Sequence, residues 1–114
     1  MKVLVIDDDE DIRFLVTNIF TQEGHEAVES SNAVNGVQEL ARSNADVVVI
    51  DIGMPKIDGK KVIGWIREGN EDIPIVVISG DSNHQESVIQ LGANLFFEKP
   101  LPSDFYDQVI KLVG

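Results

Sequence analysis

The chain contains no cysteine, two histidines, and nine lysines and arginines among 114 residues. Without cysteine it has neither a disulfide framework nor a thiolate metal site. Nine bases against 20 acids leave a net charge of −11. That argues against direct contact with nucleic acid, which needs a basic face, and against an anionic membrane surface. No stretch approaches the ~20 consecutive apolar residues of a membrane span. The opening apolar run, Val3-Leu4-Val5-Ile6, is four residues long and ends in acid, unlike a signal peptide. A cytoplasmic protein is the expectation. What the chain has in quantity is apolar side chains, 43% of the total, enough for one packed domain over residues 1–114.

Short apolar runs alternate with helical patterns. Val3–Ile6, Val47–Ile50 and Ile75–Ile78 are β-branched runs of the buried-strand type. His25–Ser30 is a weaker strand, and Leu95–Phe97 a fifth. Between them, Ile12, Leu15, Val16, Ile19 and Phe20 recur at helical spacing, with Gly24 as a stop. Gly36–Arg42 reads as a helix with Val37, Leu40 and Ala41 inward. Val62, Ile63 and Ile66 mark a third helix. Ser82 with Gln85 reads as a capping box opening a fourth, which runs to about Gly92. Phe105, Tyr106, Val109, Leu112 and Val113 mark the last. Five strand–helix units of this kind predict an α/β fold, a parallel five-stranded sheet in a doubly wound three-layer sandwich.

In such sheets the ligand site lies beyond the carboxyl ends of the strands. The first strand ends in Asp7 and Asp8, the third in Asp51, the fourth in Ser79 and the fifth in Glu98-Lys99-Pro100. Carboxylates clustered on one rim call for a hard divalent cation such as Mg²⁺, or Mn²⁺, which takes oxygen ligands. An aspartate beside such an ion, an ammonium and a hydroxyl is equipped to accept a phosphoryl group as nucleophile.

These residues resemble the receiver domain of two-component response regulators, of the chemotaxis-regulator type. The resemblance rests on the acids of VIDDDE, the loop from Asp51-Ile52-Gly53-Met54-Pro55 to Asp58-Gly59, Ser79-Gly80 and Lys99-Pro100. Ala33, Gly36 and Leu91-Gly92-Ala93 add to it. It covers the whole chain and implies strand order 2-1-3-4-5. By position it implies Asp51 as phosphoacceptor, Asp8 as a direct Mg²⁺ ligand and Asp7 acting through metal-bound water. The Gly53 carbonyl matches a third protein ligand. Lys99 matches the lysine that pairs with phosphoryl oxygens, Ser79 the switch hydroxyl and Phe96 the switch aromatic. A cis Lys99–Pro100 bond is also implied. The implied partners are a sensor histidine kinase or histidine phosphotransferase as donor, and a downstream protein that reads helix 4, strand 5 and helix 5. Gly53 and Asp81 stand at positions that tune phosphoryl lifetime in the family. With the fifth helix ending at Gly114, the expectation is either a stand-alone regulator acting by protein contact or a domain excised from a longer chain, and Met1 just before the first strand suits an N-terminal receiver.

Several residues carry plainer readings. Asp9, Glu10 and Asp11 suit the start of the first helix, where the dipole favours acids. Asp58-Gly59 reads as a turn into the third helix, and Asp46 as a solvated loop acid. His25 and His84 lack a partner at ligand spacing and read as surface residues. Two rivals to phosphorelay signalling remain at this stage. One is a phosphatase of the haloacid dehalogenase type with Asp7 as nucleophile and Asp9 as general acid. Asp11, where Thr or Val is expected, and the short chain weigh against it. The other is an interaction module of the same fold that takes no phosphate.

Overall fold

Alternate residues of each central strand point to opposite faces of one sheet, and both sets are buried. Leu4, Ile6, Val48, Ile50, Ile75 and Val77 pack on one face, and Val3, Val5, Val47, Val49, Val76 and Ile78 on the other. The computed structural model describes residues 1–54 and 58–114. Its elements are β1 (Lys2–Ile6), α1 (Glu10–Thr21), β2 (Glu26–Ser30), α2 (Ala33–Ser43), β3 (Val47–Asp51), α3 (Gly59–Gly69), β4 (Ile75–Ser79), α4 (Gln85–Gln90), β5 (Leu95–Glu98) and α5 (Phe105–Val113). A 3-10 turn, Ser82–His84, precedes α4. The strands are parallel in order β2-β1-β3-β4-β5, as expected. The first core takes in Ala33 of α2, Val62, Ile63 and Ile66 of α3 and Val88 of α4. The second takes in Val16 and Phe20 of α1 and Phe105 and Val109 of α5.

Two glycines mark close approaches. A Cβ on Gly36 would lie 2.5 Å from Ile6 Cδ1, so α2 sits directly on the end of β1. A Cβ on Gly59 would lie 2.5 Å from Ile52 Cα, where α3 begins against the loop after β3. The start signals of α1 and α3 behave as read: Asp9 accepts from Asp11 N at 2.9 Å and Asp58 from Lys60 N at 2.9 Å.

Four details differ from expectation. Leu15 is 46% exposed, because the packed stripe of α1 runs through Ile12, Val16, Ile19 and Phe20 and leaves it at the edge. Ala41 likewise faces out, while α2 begins earlier, at Ala33, capped by Asn32. Ser82 and Gln85 form no capping box. Asp81 caps the 3-10 turn instead, accepting from Asn83 N at 2.9 Å, and α4 starts only at Gln85 with no side-chain cap. His25 is no free surface residue. Its ring lies half-buried, with Nδ1 3.0 Å from the Met1 amine and Nε2 2.8 Å from the Tyr106 hydroxyl. Asp46 is an exposed loop acid, as read, and accepts from Lys2 N at 2.7 Å. Pro55 lies outside the described residues.

Candidate functional site

Each acid of the rim is placed by the end of a buried strand. β1 runs straight into Asp7, whose backbone N–H donates to Ser30 O at 3.1 Å and so continues the β1–β2 pairing. Asp7 is fully buried. Its Oδ1 accepts from Asp9 N at 2.9 Å, while its Oδ2 is buried without a hydrogen-bond partner among the described residues. Asp8 follows and is exposed. Asp51 closes β3 and is 5% exposed. Its Oδ1 accepts from Gly53 N at 2.8 Å and its Oδ2 from Lys99 Nζ at 3.2 Å. The Lys99 ammonium also lies 3.6 Å from Asp7 Oδ2. The Lys99–Pro100 bond is cis.

One oxygen from each of Asp7, Asp8 and Asp51 comes within 4.8 Å of the other two. Among the described residues one ammonium, that of Lys99, faces the Asp7 and Asp51 carboxylates. Burial, helped by the nearby Asp51, pushes Asp7 up from 3.8 to about 6, against the pull of the Asp9 N–H and Lys99. Burial alone would lower Lys99. Asp51 and then Asp7 outweigh it and raise its pKa above the ordinary value. The donor set is hard oxygen throughout, and a buried carboxylate oxygen aimed at neighbouring acids with no donor is the chemistry a divalent cation satisfies. The residues fit Mg²⁺.

Ser79 closes β4 beside Asp51 and is 2% exposed. Its hydroxyl is engaged within its own turn, donating to Asp81 O at 3.2 Å and accepting from Asp81 N at 3.1 Å. Phe96, on β5, is half-buried against the core under α3 and α4. Gly53 is exposed next to Asp51. The rim therefore unites Asp7, Asp8, Asp51, Gly53, Ser79 and Lys99, with Phe96 one strand away. Asp9, the general acid of the phosphatase rival, spends its carboxylate on capping α1. Sequence reasoning passed over Arg13. Its guanidinium donates from Nη1 to Asp7 O at 2.8 Å and from Nε to Glu29 Oε1 at 3.0 Å. A base one turn into an acid-led helix was its only signal.

A parallel sheet in this strand order, with an acidic rim and Lys99 at its carboxyl edge, defines a chemotaxis-regulator type of fold. The family model described as the response regulator receiver domain matches residues 3–111, and the chain belongs to that family. It is 32% identical over 106 residues to the nitrogen assimilation regulatory protein NtrX of Azorhizobium caulinodans, covering 90% of this chain but 23% of that protein. It is 25% identical to the sporulation initiation phosphotransferase F of Bacillus subtilis, covering 96% of this chain and 90% of that one. Among solved structures, the response regulator TrrA of Thermotoga maritima, in complex with Mg²⁺ and BeF, superposes with a TM-score of 0.88 at 27% identity. That match covers 99% of this chain and 98% of the other. This chain thus spans under a quarter of the NtrX relative and nearly all of the other two. Membership in the receiver family does not favour the phosphatase reading. Among the described residues no helix is long and apolar enough to cross a membrane.

Proposed function

We propose that this chain receives a phosphoryl group on Asp51 from a phosphohistidine of a sensor histidine kinase or histidine phosphotransferase, with Mg²⁺ or Mn²⁺ held by Asp7, Asp8, Asp51 and the Gly53 carbonyl. The observation that carries the reading is the convergence of three carboxylates on one oxygen cluster with Lys99 against Asp51. The complex of the Thermotoga maritima relative with Mg²⁺ and BeF supports it.

The step is a displacement at phosphorus. An Asp51 carboxylate oxygen attacks, the O–P bond forms, the P–N bond breaks, and its electron pair stays on the imidazole nitrogen. Bound at the cluster, the divalent ion supplies neutralisation for the transferring oxygens. Gly53 N–H holds one Asp51 oxygen and Lys99 the other, so the nucleophile is oriented before transfer. Once the acyl phosphate exists, Lys99 pairs with phosphoryl oxygens in place of the carboxylate it faces now.

The switch runs through Ser79. To turn toward the phosphoryl group, its hydroxyl gives up both bonds to the Asp81 backbone. That loosens the 3-10 turn ahead of α4, and Phe96 then repacks into the space that Ser79 leaves. A 100-fold bias between the two packings needs about 2.7 kcal/mol, the yield of one or two charge-assisted hydrogen bonds. The face of α4, β5 and α5, where Ile89 and Leu91 are exposed, then recruits or releases a downstream protein.

The test is intact mass after incubation with acetyl phosphate and Mg²⁺, run beside Asp51→Asn. One added phosphoryl group, lost without the metal and lost in the variant, is expected. No gain, together with no binding of beryllofluoride, would leave an interaction module of the same fold.

A further inference from the structure

Asp8 is exposed, and its carboxylate hydrogen-bonds to no described residue. Its position is therefore set by the backbone that leads to it. That backbone is pinned at its carbonyl. Asp7 O, in the peptide that joins Asp7 to Asp8, accepts from Arg13 Nη1 at 2.8 Å. The same guanidinium is fixed on its other edge by Glu29 of β2 at 3.0 Å. The Arg13 side chain is only 14% exposed, which sets it apart from a freely solvated ion pair. Asp7 N is held by Ser30 O on the same strand. The backbone of Asp7 is thus clamped on both sides, its N–H by β2 and its C=O by α1, just where the chain leaves the sheet and presents Asp8 to the rim.

We infer that Arg13 is a positioning residue for the divalent-cation site: by holding the Asp7–Asp8 peptide it fixes where the Asp8 carboxylate stands. The inference rests on the Mg²⁺ reading above. A cation placed beside a cation site would, by its field alone, weaken metal binding. Its tether strengthens binding by pre-organising a ligand, as the groups behind metal ligands do elsewhere. The two effects have opposite signs, so they separate cleanly. Arg13 also has a geometry that lysine lacks, since a planar fork reaches a carbonyl and a carboxylate at once and a single ammonium does not.

The experiment is a Mg²⁺ titration of isotope-labelled protein, followed by the backbone amide signals of residues 7–9 and 51–53, for the wild type, Arg13→Lys and Arg13→Gln. Thermal melts of each protein run alongside. Positioning predicts that both variants bind Mg²⁺ about 10-fold or more weakly while remaining folded. If Arg13→Gln fails to fold, Arg13→Lys carries the test by itself, since it keeps the charge and loses only the fork. Tighter binding by Arg13→Gln with no change in Arg13→Lys would mean a field effect and overturn the inference. Lower melting points with unchanged Mg²⁺ affinity would mean a merely structural pair and overturn it too. A wild type that shows no saturable Mg²⁺ response would instead overturn the proposed function, and the inference with it.

Discussion

At the amino ends of β4 and β5 a single guanidinium, Arg67, donates to Gly92 O at 2.6 Å, Ile73 O at 2.7 Å, Asn70 O at 3.2 Å and Asn94 Oδ1 at 3.0 Å. At the carboxyl ends of the same sheet, among the described residues, one ammonium, Lys99, faces Asp7 and Asp51, and one oxygen of Asp7 goes without a hydrogen bond. The first cation donates to neutral acceptors, three of them backbone carbonyls. Asn94 Oδ1 also accepts from Ile75 N, so the latch locks the start of β4 as well. The second cation is outnumbered by charges that repel one another. One end of the sheet is saturated, and among the described residues the other is left short of positive charge. The difference is that between a region whose polar groups satisfy one another and one whose charges the proposed cation would offset.

Substitutions at each end should move different observables. The largest effect belongs to Lys99→Met, which should slow phosphoryl gain from acetyl phosphate by about 100-fold or more, followed by timed mass spectrometry, while the protein stays folded. Arg67→Ala should do the reverse. It strands several carbonyls and lowers stability by about 2–4 kcal/mol in denaturant titration, with phosphoryl acceptance retained. Loss of phosphoryl gain in folded Arg67→Ala would break the contrast.

Asp7→Asn should stabilise the metal-free protein. A carboxyl raised from 3.8 to about 6 binds its proton more tightly in the folded state than in the unfolded one. Its contribution to stability is therefore full below pH 3.8, falls between about 4 and 6, and stays at its lowest above. At pH 7 the charged form costs at most about 3 kcal/mol. The gain from Asp7→Asn should appear in full at pH 7, shrink as pH falls toward 4, and come with loss of the Mg²⁺-induced rise in melting temperature. A smaller effect is expected of Gly36→Ala. Alanine ordinarily favours a helix by up to about 1 kcal/mol, yet here its Cβ meets Ile6 at 2.5 Å. The net is a loss of about 1–2 kcal/mol, read by chemical denaturation.

Most of the fold was legible because buried parallel strands leave continuous apolar runs, and Val47–Ile50 and Ile75–Ile78 admit little else. The carboxyl-end acids were legible for the same reason: a polar residue that ends such a run has one place to go. Strand order came from the family resemblance rather than from periodicity. The errors lie where pattern is weak or contact is distant. Leu15 fits the helical period of α1, but the stripe that packs on the sheet runs through Ile12, Val16, Ile19 and Phe20 and leaves Leu15 at its edge. Ser82 and Gln85 have capping-box spacing, yet Asp81, one residue earlier, captures the turn. His25 meets Tyr106 across 81 residues, and Arg67 meets Gly92 across 25. Such contacts leave no local spacing to read. Arg13 escaped for a related reason, since what it grips is a backbone carbonyl, which has no residue type.

The most direct measurement locates the phosphoryl group itself. Protein treated with acetyl phosphate and Mg²⁺ is reduced with borohydride, which converts an aspartyl phosphate to homoserine, and its peptides are then sequenced by mass spectrometry. The account predicts homoserine at position 51 alone, and none when Mg²⁺ is withheld. Homoserine at position 7 or 8, or label at 51 that is indifferent to the metal, would contradict it.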